Sequence, residues 1–140
     1  TVPTNGWVYT LEHDGKPIEE TFSRRGIIVA FEKKAGRGAD VDEIALLASD
    51  GDPAATQVLE HAYTALAETV APWLVGFRTD VLAIGGSIAQ SWELVERWFS
   101  PTIEAHFRKY RTPPPRIVQG QGGEGAALIG ATIYARRTGP

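Results

Sequence analysis

The spacing of apolar residues predicts one long amphipathic helix near the middle of the chain. From residue 55 onward an apolar side chain recurs at every third or fourth position, with polar residues between. The apolar positions are Ala55, Leu59, Ala62, Leu66, Val70 and Trp73. Asp52-Pro53 precedes them, and a capping residue followed by proline is a strong helix-start signal. We expect Pro72 to kink or loosen the last turn of this helix.

Four further helices are predicted by the same criteria. One covers residues 19–34 and ends at Gly36, and the next runs from a capping Asp40 to about Ser49. A third covers residues 90–110, with an interruption at Ser100-Pro101. The last covers residues 126–135, which are apolar nearly all round and therefore predict a buried helix.

Strands are predicted where short apolar or β-branched runs lie between turn residues, at residues 7–11, 80–84 and 116–119. The run at 80–84 is almost entirely apolar, which is expected of a strand covered on both faces. The alternation of strands and helices predicts an α/β layer structure with at least two parallel strands.

Composition narrows the class of protein. At 140 residues, with 43% hydrophobic and 22% charged residues, the chain is expected to form a single folded domain over residues 1–140. A net charge of -3 gives no general attraction to nucleic acid or anionic lipid. No apolar run approaches the roughly 20 residues of a membrane span, so we expect no membrane partner. The absence of cysteine excludes disulfides and fits a cytoplasmic location. A chain without methionine that starts at Thr1 is expected to be a piece of a longer protein.

The candidate ligand-binding residues of the chain lie in two glycine clusters. Gly85-Gly86-Ser87 follows the apolar strand at 80–84, and Gly120-Gln121-Gly122-Gly123-Glu124-Gly125 follows the strand at 116–119. Glycines after a strand leave backbone N–H groups open to a close ligand such as phosphate. Either cluster alone could serve only a tight turn. Their pairing favours one glycine-lined crevice that binds a nucleotide.

Three landmarks of the sequence resemble those of a known family. The first is Gly51-Asp52-Pro53-Ala54-Ala55 together with the later run Asp80-Val81-Leu82-Ala83-Ile84-Gly85-Gly86-Ser87. The second is Gly123-Glu124-Gly125-Ala126-Ala127-Leu128-Ile129-Gly130-Ala131. The third, a weaker match, is Pro17-Ile18-Glu19 followed by Ser23-Arg24-Arg25. Together they resemble the C-terminal half of the ROK family, bacterial sugar kinases and sugar-responsive repressors with the actin/hexokinase-like (RNase H-like) fold.

The resemblance implies ATP-dependent phosphorylation of a hexose or amino sugar by the full-length protein, with Mg²⁺ accompanying the ATP. It places Gly85, Gly86 and Ser87 at the ribose and phosphate side of the nucleotide, with Gly123 and Gly125 lining the same crevice. Glu19 would hydrogen-bond a sugar hydroxyl; without the resemblance, it is a solvated carboxylate in a first helical turn. The phosphate loop and the aspartate base belong to the N-terminal half, so no catalytic residue is expected in this chain. A homo-oligomer is also expected.

The chain departs from the family at its zinc loop and at one sugar motif. The segment His13-Asp14-Gly15-Lys16-Pro17 stands where the family has its cysteine-rich loop, and it contains no thiolate. We therefore expect no zinc and a mobile loop held only by hydrogen bonds and packing. His13, His61 and His106 are expected to be separate surface residues. The Glu-x-Gly-His sugar motif is absent from the chain.

Two other functions remain open. The chain could be the sugar-sensing domain of a ROK-type repressor, which would bind DNA through a winged helix upstream, or a degenerate domain that only dimerises. An Asp-x-Gly-x-Thr loop upstream of Thr1 would favour the kinase, and a helix-turn-helix pattern there would favour the repressor.

Overall fold

The computed structural model describes residues 11–85 and 91–120, together with the backbone of residues 130–134. In chain order the elements are β1 (Glu12–His13), β2 (Lys16–Pro17), a 3-10 turn (Ile18–Glu20), α1 (Arg24–Ala35), α2 (Val41–Ser49), α3 (Pro53–Gly76), β3 (Val81–Gly85), α4 (Trp92–Leu94), a π-helical turn (Val95–Phe99), α5 (Ser100–Lys109), β4 (Arg116–Gln119) and β5 (Gly130–Tyr134). Helices and a sheet in this order agree with the predicted α/β class.

Three strands form one sheet in the order β4-β3-β5. The pairing of β3 with β4 is parallel, with Val81 opposite Arg116. The sequence predicted such a parallel pair, and a parallel pair requires a long crossover, which here contains α4 and α5. On β3 the buried residues Leu82 and Ile84 alternate with half-exposed neighbours. The strand is therefore covered on both faces, but one face is more deeply buried than the other.

The predicted helix at 126–135 is wrong over residues 130–134. These residues form β5, which pairs antiparallel with β3 along its whole length, from Gly85 opposite Gly130 to Val81 opposite Tyr134. A short, wholly apolar run fits a buried strand as well as a buried helix, because neither leaves a polar periodicity to tell them apart. Thr132 and Ile133 are β-branched, which favours the strand. The rest of the predicted helix lies outside the described residues.

Helix α3 is the centre of the packing, because α1, α2 and α5 all contact it. Five of the six predicted apolar positions are buried, and only Trp73 is half-exposed. Small residues beside the predicted stripe are buried as well: Ala65, Ala67 and Ala71. The helix continues past Pro72 to Gly76, so the proline does not end it. No helix in the described part of the chain, α3 included, is long and apolar enough to cross a membrane.

The predicted helix starts at Asp40 and Asp52 are confirmed. The Asp52 side chain accepts a hydrogen bond from the Ala55 N–H at 2.9 Å, and the Asp40 side chain accepts one from the Val41 N–H at 2.7 Å. Gly36 ends α1 in the left-handed conformation with φ of 75°, also as predicted.

The start of α1 differs from the prediction. The helix begins at Arg24 after Ser23, whose hydroxyl accepts a hydrogen bond from the Gly26 N–H at 3.0 Å. Ser23 has extended backbone angles, which separates α1 from the preceding turn. Glu19 therefore lies in the 3-10 turn and not in the first turn of α1.

The predicted interruption near Ser100-Pro101 is a change of helical pitch. The π-helical turn Val95–Phe99 joins α4 to α5, and no non-helical residue lies between the three segments. Pro101 has no N–H to donate to the carbonyl four residues earlier, and the wider turn before it accommodates this loss.

Close packing between α1 and the 3-10 turn generates the first prediction. A Cβ atom at Gly26 would lie 2.3 Å from the Glu20 carbonyl oxygen, so Gly26→Ala must push the turn away from α1. We expect a loss of about 1–3 kcal/mol in the free energy of unfolding, measured by urea denaturation. Gly38→Ala is the control, because a Cβ there has no heavy atom within 4 Å. Equal losses in both variants would contradict the steric explanation.

Candidate functional site

A groove between α1, α2, α3 and α4 has a volume of about 1060 Å³. We call it the interhelical groove. Its lining includes Ile27, Val41, Ala45, Leu46, Tyr63 and Trp92. Ser91, the residue before α4, is also in its wall and follows Gly85 by six positions in the sequence.

The walls of the interhelical groove are aromatic and aliphatic, with charged groups among them. Trp92 is half-exposed, and its indole N–H donates to the Glu96 carboxylate at 3.0 Å, which orients the ring. Leu46 on α2 is 68% exposed although it is a large apolar side chain. The Ser49 hydroxyl donates to the Glu93 carboxylate at 3.0 Å. Such a groove can accept a planar, mostly apolar group that carries polar atoms on its edge.

Tyr63 joins the interhelical groove to the core. Its side chain is 5% exposed, and its ring meets the Phe22 ring edge-on at 5.1 Å. Burial raises the pKa of Tyr63 to about 12, and a hydrogen bond with the Ser91 side chain opposes this rise. Tyr63 is therefore neutral near pH 7. Through Ser91, it also links α3 to the segment that follows β3.

The second groove borders Glu19 and has a volume of about 770 Å³. We call it the hairpin groove, because it lies between the β1–β2 hairpin, the 3-10 turn, α1 and α3. Its lining includes Lys16, Glu19, Glu20, Arg25, Lys33 and His61. Glu19 is exposed in this groove, so its carboxylate is accessible to a donor such as a sugar hydroxyl.

The two glycine clusters begin side by side at one edge of the sheet. Gly85 ends β3, and Gly120 directly follows the parallel strand β4. The Gly120 N–H donates to the Ile84 carbonyl at 2.7 Å, and a Cβ at Gly120 would lie 3.3 Å from that same oxygen. Of the other predicted nucleotide residues, Gly86, Ser87, Gly123 and Gly125 lie outside the described residues. A crevice shared by both clusters stays a prediction.

The histidines are not arranged as predicted. His13 is only 13% exposed, and its Nε2 lies 2.8 Å from a carboxylate oxygen of Glu68 on α3. The rings of His13 and His61 are 6.4 Å apart, so the fold brings together two residues that are distant in sequence. His106 is half-buried on α5, beside the Tyr110 ring. Within the described ranges, no group of three or more His, Asp or Glu residues could hold a metal ion.

The segment from His13 to Pro17, which was expected to be a mobile loop without zinc, lies in a β-hairpin. Asp14 and Gly15 form its turn with φ of 52° and 78°, and His13 lies opposite Lys16. The expectation that hydrogen bonds and packing hold this loop is confirmed by the His13–Glu68 contact. Its mobility stays a prediction.

A family model decides the identity of the chain. The model of the ROK family matches residues 14–138, nearly the whole sequence. The chain belongs to the ROK family. The match includes β2, all the described helices and both glycine clusters.

Solved structures show the same fold. The ROK hexokinase from Thermus thermophilus is 21% identical, with a TM-score of 0.59 over 72% of this chain and 34% of that protein. A glucokinase from Parabacteroides distasonis is 19% identical, with a TM-score of 0.63 over 74% of this chain and 32% of that protein. This ROK chain thus spans about a third of the length of these neighbours and shares their actin/hexokinase-like fold over that part. No curated protein matches the sequence significantly.

Of the residues that the sequence predicted for the site of this ROK chain, the structure describes Glu19 and Gly85, whose roles stay predictions. Sequence reasoning missed other residues that line the grooves or hold the hairpin. Tyr63 lies next to the predicted stripe position Ala62, but nothing in the periodicity showed that it would reach Ser91. The spacing of Trp92 and Glu96 by four is a detectable signal for a helical side-chain pair. The contact between His13 and Glu68 has no local signal, because 55 positions separate the two residues.

The raised pKa of Tyr63 generates the second prediction. An unfolded tyrosine titrates near pH 10, whereas Tyr63 holds its proton to about pH 12. Between these values the folded state binds more protons, so the stability contributed by Tyr63 falls as the pH rises. Compared with Tyr63→Phe, the wild type should lose about 1.4 kcal/mol between pH 8 and pH 11, measured by urea unfolding.

Tyr110→Phe is the control for the loss of a phenol, because Tyr110 is 55% exposed. The same pH dependence in both variants would contradict burial as the cause.

Proposed function

We propose that this ROK chain forms the nucleotide- and sugar-binding part of a kinase that phosphorylates a hexose or amino sugar with ATP. The observation that carries the proposal is the sheet edge at Gly85 and Gly120, in a family member that also has an exposed Glu19 in an open groove. A nucleotide needs backbone that its phosphates can approach closely, and a sugar needs exposed groups that accept hydrogen bonds from its hydroxyls.

The nucleotide is proposed to bind at the sheet edge and in the interhelical groove. Gly85 and Gly120 carry no side chain at this end of the sheet, so a phosphate or ribose could approach the backbone closely there. The groove that begins near Ser91 would take the base, against Trp92 and the aliphatic wall of α2. We assign no described residue to Mg²⁺, because none of those residues forms a metal cluster.

The sugar is proposed to bind in the hairpin groove. The carboxylate of Glu19 has two acceptor oxygens, so it can accept hydrogen bonds from two hydroxyls of one sugar ring. Its partners in the groove, Lys16 and His61, are also capable of polar contacts. In this proposal the role of Glu19 is to bind and orient a sugar hydroxyl.

In this proposal the chain positions the two reactants, and ATP supplies the transferred phosphoryl group. Orientation of a hydroxyl toward a phosphoryl group provides a large part of the catalysis in such reactions. The base and the phosphate loop are proposed to lie in the part of the protein beyond this chain. A kinase that uses ATP works where ATP is present, and we therefore propose a cytoplasmic location.

The proposal is tested by assaying the full-length protein with ATP and a panel of hexoses and amino sugars. We expect transfer to at least one sugar, and Glu19→Gln should raise the KM for that sugar about tenfold with little change in kcat, because it weakens ground-state binding. Glu32→Gln, an exposed carboxylate on α1, is the control. If the protein binds a sugar and releases operator DNA but transfers no phosphate, the repressor function replaces the kinase.

Filling the interhelical groove tests the nucleotide site separately. Ala45→Trp places an indole in the groove and should weaken ATP binding by about tenfold or more, measured by calorimetry, while sugar binding is retained. Ala105→Trp is the matched control, because Ala105 is exposed on α5. Unchanged ATP affinity in Ala45→Trp would show that the base binds elsewhere.

A further inference from the structure

The β1–β2 hairpin is too small to hold its own position. Each strand has two residues, and the turn residues Asp14 and Gly15 both have positive φ, as in the tight turns that suit hairpins. An isolated two-stranded hairpin is marginally stable in water. Its orientation therefore depends on contacts with the rest of the domain.

His13 makes the polar contact that joins the hairpin to α3. Its Nε2 lies 2.8 Å from Glu68 Oε2, and the carboxylate can only accept, so this nitrogen donates the hydrogen bond. On the other side of the ring, Nδ1 lies 3.5 Å from Asp14 Oδ2. The ring is 13% exposed and meets His61 of α3 edge-on, so it is held by packing as well as by the hydrogen bond.

The hairpin continues directly into the turn that carries Glu19. The 3-10 turn begins at Ile18, the residue after β2. Ile18 is fully buried, and its N–H donates to the Leu11 carbonyl at 2.7 Å, which closes the base of the hairpin. Glu19 follows on the exposed side. A change in the tilt of the hairpin relative to α3 therefore moves the Glu19 carboxylate relative to His61 across the hairpin groove.

We propose that His13 is a positioning residue, which sets the place of Glu19 by tying the hairpin to α3 through Glu68. The role of Glu19 at the sugar rests on the proposed function, but the tie itself does not. His13 touches no substrate in this proposal and acts only through the hairpin.

The test combines hydrogen exchange with kinetics in the full-length protein. His13→Ala and Glu68→Ala should each speed exchange of the Ile18 amide about tenfold and raise the sugar KM roughly five- to tenfold, with kcat within about twofold of wild type. The double variant should change no more than His13→Ala alone, because that variant already removes the contact that Glu68→Ala removes. His13→Gln should restore the wild-type values, since its amide can donate from nearly the same place as Nε2.

Glu60→Ala is the matched control, an exposed carboxylate two turns earlier on α3. If His13→Ala does not fold, Glu68→Gln replaces it; this variant keeps the side-chain shape but removes the charge, and a smaller change in the same direction is expected.

Three results would overturn the proposal: Ile18 exchange and KM unchanged in His13→Ala, additive effects in the double variant, or no rescue by His13→Gln. A wild-type protein that binds none of the sugars overturns the proposed function instead, and the exchange of Ile18 then decides the tie alone.

Discussion

Burial of α3 is the constraint on which the other features depend. Three helices contact it, and alanines at positions 65, 67 and 71 are fully enclosed, so neighbouring backbones can approach closely on more than one side. Such a helix cannot shift without moving its neighbours. Residues that it carries are therefore held at fixed positions: Tyr63 at the interhelical groove, His61 at the hairpin groove, and Glu68 where it contacts His13.

The two grooves border the same helix but are lined by different kinds of side chain. At the interhelical groove, Tyr63 is neutral and packs beside Phe22, and with Trp92 it gives the groove an aromatic wall. At the hairpin groove, the lining includes the carboxylate of Glu19 and the polar side chains Lys16 and His61. An aromatic wall suits a base and exposed polar groups suit a sugar, which is why the proposed reactants are assigned in this way.

Contacts with α3 and the core hold the β1–β2 hairpin in place. A metal site orders a loop through several strong ligands, whereas here one hydrogen bond, one edge-on ring contact and the buried side chain of Ile18 act together. Hydrogen bonds of this kind are individually modest, about 1 kcal/mol or somewhat more with a charged acceptor. The position of Glu19 in this chain is therefore expected to be sensitive to single substitutions.

Local patterns in the sequence determined α3, its cap at Asp52, the parallel strands at 81–85 and 116–119, and the family motifs, because periodicity and capping act over a few residues. Only the tertiary structure decided the rest. Residues 130–134 form a strand because β3 offers an edge to pair with, and a wholly apolar run carries no periodicity that could show this. His13 meets Glu68, and Tyr63 meets Ser91, because helix packing brings distant positions together, and no short segment contains that information.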